Sequence, residues 1–196
     1  MQKAIYNFMR ICATHLPVEA PIYEFGAYRV QTMPEEDLRP LFEGREYVGS
    51  DMRKGPGVDV VLDLHDLDLA DESAACVICL DTLEHVEYPR RALAEMHRVL
   101  RPDGIAIISS VFDFPIHNYP NDYWRFTPEA FSSLLQDFAH SEVFSFGRSE
   151  IAPQCVTGVG FKGATPHLDD FLRSCANWEE WTSAVLRKML ESREQG

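Results

Sequence analysis

An irregular stretch at residues 112–126 is dense in side chains that could perform acid–base chemistry. It mixes prolines and polar groups with aromatic residues, a composition too irregular for a strand or a helix. Loops of this kind carry function more often than packing. Imidazole titrates near neutral pH, so we predict His117 as the general base, with Asp122 and Tyr123 as further catalytic candidates. The alternative is that the aromatic residues only pack the loop onto the protein.

A second group of reactive side chains consists of Asp81, Glu84 and His85. Their i, i+3, i+4 spacing would place two carboxylates and an imidazole on one face of a helical turn. We expect His85 to contact substrate, together with Tyr119 and Arg125 from the irregular stretch. The alternative for His85 is packing or a hydrogen bond within the protein.

Acidic side chains also stand at the ends of short apolar runs. Glu24, Asp51 and Asp63 each occupy such a position. Two carboxylate oxygens can accept hydrogen bonds from the 2′ and 3′ hydroxyls of a ribose, which makes Asp51 the strongest single candidate for a ligand contact. For Asp63, a cap or a solvated turn within an acidic run is the alternative.

The elements that must hold these groups alternate between strands and helices. Apolar runs without clean alternation, separated by a helix, indicate parallel strands covered on both faces. We predict an α/β fold with a doubly wound, Rossmann-like, seven-stranded and mostly parallel sheet, an antiparallel edge strand, and helices on both faces. The predicted strands cover residues 21–24, 46–49, 58–62, 75–80, 105–110, 142–146 and 155–161, the last two forming an antiparallel pair.

The helices are predicted from apolar residues at three- and four-residue spacing. They cover residues 1–16, part of 34–42, 89–100, a segment beginning at 127–129 and a segment from 167 onwards, with a turn at 101–104. Residues 177–180 resemble a capping box at a helix start. After them, Trp181, Val185 and Met189 form an apolar stripe, which we expect to pack on the sheet rather than to form a dimer contact.

The composition disfavours two classes of partner. The net charge is −13, and no Lys or Arg occurs from residue 55 to residue 89, whereas nucleic-acid binders normally present a basic face. No apolar run approaches the roughly 20 residues that span a bilayer, and the N-terminus lacks the apolar core of a signal peptide. We therefore expect a cytoplasmic protein with no nucleic acid and no membrane among its partners.

The five cysteines predict reduced thiols. An odd number without a signal peptide argues against a disulfide framework. Cys76 and Cys79 have the spacing of metal ligands but fall in a predicted strand, where residues three apart point to opposite faces. We expect no zinc site there.

Several of these motifs together resemble the class I S-adenosylmethionine-dependent methyltransferases, in particular the small methyltransferase type 11 group. The resemblance extends over residues 23–138 and is strongest in Asp63-Leu64, in residues 70–73, in residues 78–86 and in residues 100–104. It implies S-adenosylmethionine as the cofactor. The residues predicted to bind it are Glu24, Gly26, Ala27, Arg29, Asp51, Met52, Asp63, Leu64, His65, Leu80 and Asp81.

The resemblance also implies roles for these positions. Asp63 would accept from the adenine amino group, the N–H of Leu64 or His65 would donate to the ring, and the backbone at Leu80 and Asp81 would hold the cofactor's amino group. In the loop that starts at Glu24 and Gly26, backbone N–H groups would face the cofactor's carboxylate or ribose.

This loop departs from the family pattern because Tyr28 and Arg29 replace further glycines. Arg29 could pair with the cofactor carboxylate as a bidentate fork. The alternative is an arginine on the surface of the loop.

Some methyltransferases of this kind bind magnesium through an acid-x-x-Glu-His turn, which here would be Asp81, Glu84 and His85, but most bind no metal and we predict none. The resemblance further implies that residues 1–196 form a single methyltransferase-like domain. Its parts would be an N-terminal helix at 1–17, a substrate-covering loop at 111–127 and C-terminal helices at 166–192.

The expected activity is methyl transfer to an oxygen or nitrogen of a small-molecule acceptor, by a monomer or homodimer. One alternative is a methyltransferase-like binding or scaffold protein that has a degenerate cofactor loop and no turnover. Another is a dinucleotide binder, suggested by the Gly158, Gly160 and Gly163 spacing. This motif lacks a following strand that would complete a βαβ unit, so we interpret it as chance.

Overall fold

The computed structural model describes residues 3–29, 37–117, 120–149 and 151–194. Its sheet has seven strands in the order β3-β2-β1-β4-β5-β7-β6. The strands are β1 (Ile22–Phe25), β2 (Tyr47–Asp51), β3 (Val60–Val61), β4 (Ala74–Cys79), β5 (Leu100–Val111), β6 (His140–Ser149) and β7 (Ala152–Phe161). The helices are α1 (Lys3–His15), α2 (Pro89–Val99), α3 (Pro128–Leu134) and α4 (Asp169–Glu194), with 3-10 turns at Arg39–Phe42 and Leu83–His85.

The first five strands are parallel, and β7 runs antiparallel between β5 and the edge strand β6. This confirms the predicted fold class. Phe25 at the end of β1 pairs with Ser50 of β2 and with Cys79 of β4, so these three strands end at the same edge of the sheet. Ligands of open α/β sheets bind at that edge, where the strand order reverses, and the reversal here lies between β1 and β4.

Helices cover both faces of the sheet. Cys76 and Ile78 of β4 pack in the core that contains α1 and α4. Val77 and Cys79 point the other way, into the core beneath α2 and α3. The alternation of a β-strand therefore separates two apolar layers, and it places Cys76 and Cys79 on opposite faces as the spacing predicted.

Local chemistry sets the helix boundaries. The Thr127 side chain accepts a hydrogen bond of 3.2 Å from the Ala130 backbone N–H, and Pro128 takes the first position of α3, as predicted. Helix α1 buries the apolar residues Ile5, Phe8, Met9 and Cys12. None of the helices in the described part of the chain is long and apolar enough to cross a membrane.

Several boundaries differ from the prediction. The strand expected at 58–62 shortens to Val60–Val61, whose side chains are exposed. Within 34–42 the described part contains only the 3-10 turn Arg39–Phe42, and residues 30–36 lie outside the description. The expected turn at 101–104 is instead a bulge inside β5, since Ala74 pairs with Leu100 and Cys76 with Ile105.

The C-terminal region is one helix, so the capping box predicted at 177–180 is wrong. Those residues lie inside α4, where tertiary contacts rather than a cap continue the helix. The expectation that the stripe packs on the sheet is also wrong. Trp181 is 59% exposed and Met189 is 56% exposed, because the buried face of α4 passes through Phe171, Cys175 and Trp178.

The predicted glycine motif has a packing role. Gly158 and Gly160 lie in β7. A Cβ on either would fall less than 3 Å from Leu135 or Phe138 beneath the sheet. These glycines let the segment after α3 approach the strand, which agrees with the interpretation that the spacing is chance.

Candidate functional site

A cavity of about 640 Å³ opens at the carboxyl ends of β1, β2, β4 and β5. All eleven residues predicted to bind cofactor line it. Of the predicted catalytic and substrate-binding residues, His85, His117 and Tyr123 also line it. Asp122 and Arg125 do not line the cavity, and Tyr119 lies outside the described residues.

The turn after β1 is shaped by Gly26. Its φ is +81°, and a Cβ at this position would fall 1.9 Å from Thr82 Oγ1. The backbone N–H groups of Gly26 and Ala27 both donate to the Ser50 carbonyl at 2.8 Å. The expectation that these N–H groups face the cofactor is therefore wrong, because the turn uses them to join β1 to β2.

The Arg29 side chain lines the cavity but is already paired. Its Nη1 lies 2.9 Å from Asp37 Oδ2, and its backbone N–H donates to the Pro56 carbonyl. Its Nε is buried and has no acceptor among the described residues. A bidentate contact with a cofactor carboxylate would have to compete with Asp37.

Glu24 is buried at the floor of the cavity, with 9% of its surface exposed. The Tyr47 hydroxyl donates to Glu24 Oε2 at 2.8 Å. Burial raises the pKa of Glu24 to about 7, although the Tyr47 hydrogen bond acts in the opposite direction. A cationic group bound nearby would favour the ionised carboxylate. Sequence reasoning missed Tyr47, since nothing in the spacing links positions 24 and 47.

Asp51 ends β2 with its carboxylate held in place. Its Oδ1 accepts from the Arg53 backbone N–H at 2.9 Å and from Arg53 Nε at 3.1 Å. The Arg53 guanidinium in turn stacks on the Tyr28 ring, 4.6 Å from its centroid. Both bonds use Oδ1, so Oδ2 can still accept from a ligand hydroxyl.

Asp63 forms the part of the cavity wall after β3 together with His65. Asp63 Oδ1 accepts from the His65 backbone N–H at 2.9 Å and pairs with the ring Nδ1 at 2.8 Å. The ring carries its proton on Nδ1, because Nε2 accepts from the Tyr88 N–H. The hydrogen bond from the His65 N–H lowers the pKa of Asp63. The His65 N–H is therefore engaged, so the Leu64 N–H stays the predicted backbone donor to the adenine ring.

Asp81 adopts a left-handed backbone conformation with φ of +45°. Its N–H donates to Ser109, and the Ser109 hydroxyl donates back to Asp81 Oδ1 at 2.8 Å. The Leu80 carbonyl accepts from the Thr82 hydroxyl at 2.9 Å and keeps a second lone pair. Such strain in a non-glycine residue is common at functional sites.

The predicted grouping of Asp81, Glu84 and His85 on one helical face is wrong. The Asp81 carboxylate turns towards Ser109, whereas Glu84 Oε2 accepts from the neighbouring Ser110 hydroxyl at 2.6 Å. The turn between them is only the short 3-10 segment Leu83–His85, which does not keep α-helical spacing.

Glu84 instead faces two imidazoles. Its Oε1 lies 3.9 Å from Nε2 of His85 and 3.9 Å from Nε2 of His117. The two rings meet edge to face with centroids 4.7 Å apart. Glu84 is fully buried, and burial together with the Asp81 charge raises the pKa of its carboxyl above the usual range. Burial also lowers the pKa of His85.

Asp122 holds the irregular loop together from inside. Its side chain is fully buried, and both oxygens accept from the Arg125 guanidinium. Asp122 Oδ2 also accepts from the His117 backbone N–H at 2.7 Å. The Arg125 hydrogen bonds hold the pKa of Asp122 far below its usual range, so this carboxylate positions the loop and is unsuited to act as a base.

The loop is also tied to the Leu83–His85 turn. The Tyr123 N–H donates to the Glu84 carbonyl at 2.7 Å, and the Trp124 indole N–H donates to the Val86 carbonyl at 3.0 Å. Phe126 is buried, as expected for a packing residue. Arg125 donates to Asp122 and to the Phe114 and Pro115 carbonyls, which leaves it in the loop interior rather than at the cavity wall.

The contact of Glu84 with His117 was not predicted. The two residues are far apart in the chain, and only the loop that returns from β5 brings them together. The sequence grouped Glu84 and His85 with Asp81 and gave no indication that His117 would face them.

The sequence matches a methyltransferase domain family, Methyltransf_11, over residues 45–108. An uncharacterized 37.1 kDa protein in transposon TN4556 of Streptomyces fradiae is 42% identical over 77 residues, which is 36% of this chain. An uncharacterized methyltransferase of Mycobacterium marinum is 28% identical over 144 residues, or 70% of this chain. The chain spans 22% and 56% of the lengths of these two curated relatives.

A solved structure shares the fold. It is the Burkholderia thailandensis 1,6-didemethyltoxoflavin-N1-methyltransferase with bound 1,6-didemethyltoxoflavin and S-adenosylhomocysteine. It matches with a TM-score of 0.58 at 21% identity, covering 83% of this chain and 79% of that one. The strand order and this match show that the chain has the fold of a methyltransferase solved with S-adenosylhomocysteine bound, and the family match places a methyltransferase domain sequence at residues 45–108.

Proposed function

We propose that the protein binds S-adenosylmethionine in the 640 Å³ cavity and transfers its methyl group to an oxygen or nitrogen of a small-molecule acceptor. The observation that carries the proposal is the convergence of Gly26, Asp51, Asp63 and the Leu80–Asp81 backbone on one cavity. These groups come from four different strand ends, and the family match includes three of them.

Each wall supplies one kind of contact. Asp51 would accept from the ribose hydroxyls through Oδ2, since Oδ1 is held by Arg53. Asp63 would accept from the adenine amino group, and the Leu64 N–H would donate to the adenine ring. The second lone pair of the Leu80 carbonyl would accept from the amino group, and the nearby Glu24 carboxylate would be stabilised by the positive charge of the cofactor.

The bound cofactor supplies a methyl group that is already activated by its positively charged sulfur. The protein's own contribution is then to position the acceptor and to promote the loss of its proton. Holding two reactants in line can supply roughly 7 kcal/mol or more. We assign the acceptor side of the cavity to Glu84, His85, His117 and Tyr123, which face it from the loop and the 3-10 turn.

A small acceptor fits the charge of the chain. The net charge is −13, and the cavity wall carries the aspartates Asp51, Asp63 and Asp81. A phosphate backbone would be repelled by such a wall. We therefore propose that the acceptor is not a nucleic acid. We also propose that the enzyme is cytoplasmic.

Calorimetric titration with S-adenosylhomocysteine tests the proposal directly. We expect micromolar binding to the wild-type protein and at least tenfold weaker binding to Asp51→Ala. The matched control is Asp170→Ala, which removes an exposed carboxylate on α4 and should bind like the wild type. Equal affinity for Asp51→Ala would overturn the assignment of the ribose contact.

The second candidate is a binding or scaffold protein without turnover. It is favoured by the turn after β1, where the Gly26 and Ala27 N–H groups are used by Ser50 and Arg29 is paired with Asp37. This candidate expects weak or no binding of S-adenosylhomocysteine in the same titration. If a folded protein shows no heat of binding in this titration, the scaffold function is favoured over methyl transfer.

A further inference from the structure

We propose that Glu84, His85 and His117 form a binding site for a divalent transition-metal ion on the acceptor side of the cavity. One ligand atom from each of the three residues lies within 4.8 Å of the other two. Glu84 Oε1 stands 3.9 Å from Nε2 of each histidine. Metal binding at these residues does not depend on the proposed function, whereas the role of the metal in catalysis does.

The Glu84 carboxylate is the first argument for a cation. Its side chain is fully buried, and the Ser110 hydroxyl donates to Oε2. Oε1 is also buried but accepts no hydrogen bond from the residues that the structure describes. An unsatisfied carboxylate oxygen is costly in such surroundings, and a cation between Glu84 and the two imidazoles would satisfy it.

The protonation of the two rings is the second argument. The Asn121 carbonyl lies 2.5 Å from His85 Nδ1, and the Pro115 carbonyl lies 3.1 Å from His117 Nδ1. A carbonyl can only accept, so both Nδ1 atoms carry the proton. In the neutral tautomer each Nε2 is then a lone-pair donor, and both are directed to the same carboxylate oxygen.

The surroundings of His117 match those of a metal-binding histidine. Asp122 Oδ2 lies 3.2 Å from His117 Nδ1 and is itself held by Arg125. A carboxylate behind the ring fixes the tautomer and raises the basicity of the other nitrogen, which is the common second layer of metal sites. Besides holding the loop together, Asp122 would thus also position the His117 ring.

The backbone holds the two halves of the site together. The Tyr123 and Trp124 N–H groups both donate to the Glu84 carbonyl. The loop that supplies His117 is therefore fastened to the turn that supplies Glu84 and His85. Rigid support of this kind keeps ligands within reach of one ion.

The ligand set selects the class of metal. Two imidazoles and one carboxylate suit zinc, iron, manganese or cobalt, whereas magnesium prefers oxygen ligands alone. At bond lengths of about 2.1 Å, tetrahedral ligands lie about 3.4 Å apart. The two 3.9 Å separations exceed this by about 0.5 Å, and the three ligand atoms lie within 4.8 Å of one another, so all three would have to move inwards to bind one ion.

Three protein ligands leave further coordination positions, as in catalytic metal sites. Glu84, His85 and His117 all line the cavity, so an open position would be accessible to an acceptor. A metal held there would lower the pKa of an acceptor hydroxyl or amine. If the protein is a methyltransferase, the acceptor proton leaves to water, the acceptor–methyl bond forms and the sulfur–methyl bond breaks.

Cobalt(II) is a suitable probe because its visible absorption reports coordination without any assay of activity. We expect the chelator-treated wild-type protein to take up cobalt with absorption bands in the visible region, and zinc to displace it. Glu84→Gln and His117→Ala should each weaken cobalt binding at least tenfold. Glu84→Gln keeps the shape of the side chain, and its fold can be checked by circular dichroism.

The matched controls are histidines outside the cluster. His65→Ala alters another cavity histidine, and His140→Ala alters a histidine that pairs with Glu142 at the start of β6. Both should bind cobalt like the wild type. Undiminished binding by Glu84→Gln, or no binding by the wild type, would overturn the proposal.

Titration of the same samples with S-adenosylhomocysteine separates the two proposals. If the protein binds S-adenosylhomocysteine but not cobalt, the proposed metal site is wrong and the proposed function stands. If it binds cobalt but not S-adenosylhomocysteine, the metal site stands and the proposed methyltransferase function is wrong.

Discussion

Gly26 and Thr82 approach each other so closely that a Cβ at residue 26 would fall 1.9 Å from Thr82 Oγ1. This contact joins the turn after β1 to the turn after β4, the two strands between which the sheet order reverses. Both residues line the cavity, so its shape depends on the absence of a side chain at residue 26.

The first prediction concerns Gly26→Ala. We expect a loss of unfolding free energy of more than about 2 kcal/mol, because the variant adds a steric clash to the cost of a left-handed backbone. We also expect at least tenfold weaker binding of S-adenosylhomocysteine, because the turn must move away from Thr82. Urea unfolding and calorimetric titration measure the two effects.

Gly44→Ala is the matched control for this prediction. Gly44 has a φ of +80°, nearly that of Gly26, but no heavy atom of the described chain lies within 4 Å of its added Cβ. It should lose about 1 kcal/mol and keep its affinity for S-adenosylhomocysteine. Equal losses for the two variants would mean that backbone strain, and not the contact with Thr82, dominates at Gly26.

The second prediction is a pH dependence of stability caused by Glu24. The pKa of this buried carboxyl is about 7 in the folded protein, against 4.5 for an ordinary glutamate. Between these values the unfolded chain binds fewer protons than the folded one, so stability falls as the pH rises. The contribution is about 3 kcal/mol, lost between about pH 4.5 and pH 7.

Urea unfolding at pH 5 and pH 7.5, without cofactor, measures this dependence. Glu24→Gln should flatten it, since the amide fills the same space and does not titrate. Burial also raises the pKa of other carboxyls such as Glu84. The test is therefore the difference in pH dependence of the unfolding free energy between the wild type and the variant. An unchanged slope in Glu24→Gln would show that the Tyr47 hydroxyl already stabilises the charged form.

The sequence predicted the sheet well because its strands are buried apolar runs with clear ends. It placed Asp51 and Asp63 at strand ends, although β3 before Asp63 is only two exposed residues long. It did not predict which partners these groups have. Whether a backbone N–H faces a ligand or is used by Asp63 or Ser50 depends on turn geometry, which local residue types do not determine.

The acceptor side shows a different limit. Glu84 and His85 are neighbours in the chain, but His117 arrives from the loop after β5. Such a contact depends on how the whole loop is folded around Asp122 and Arg125. The residue types in the loop indicated function, and only the structure separates His117 at the cavity from Asp122 in the interior.

The third prediction tests the interior role of Asp122. Asp122→Asn leaves the Arg125 guanidinium without its charged partner, and we expect a loss of about 2–3 kcal/mol of unfolding free energy. The matched control is Asp113→Asn, in an ion pair whose side chains are 45% and 55% exposed. It should change stability by less than about 0.5 kcal/mol. If Asp122 were a catalytic base instead, its variant would be as stable as the control.

The fourth prediction separates the two tryptophans of α4. Trp178 is 5% exposed, packs against Phe8 and Phe146, and donates its indole N–H to the Ala4 carbonyl at 3.0 Å. Trp178→Ala should therefore lose about 3–5 kcal/mol in urea unfolding. Trp181 is 59% exposed, and Trp181→Ala should lose less than about 1 kcal/mol.

Urea unfolding of the wild type and of Trp181→Ala at two protein concentrations also tests whether the chain forms a dimer. For a monomer the stability of the wild type and of Trp181→Ala should be independent of concentration. A loss at Trp181 that grows with protein concentration would mean that a second copy of the chain covers the exposed stripe. In that case the homodimer contact that the sequence left open would be the correct interpretation of Trp181, Val185 and Met189.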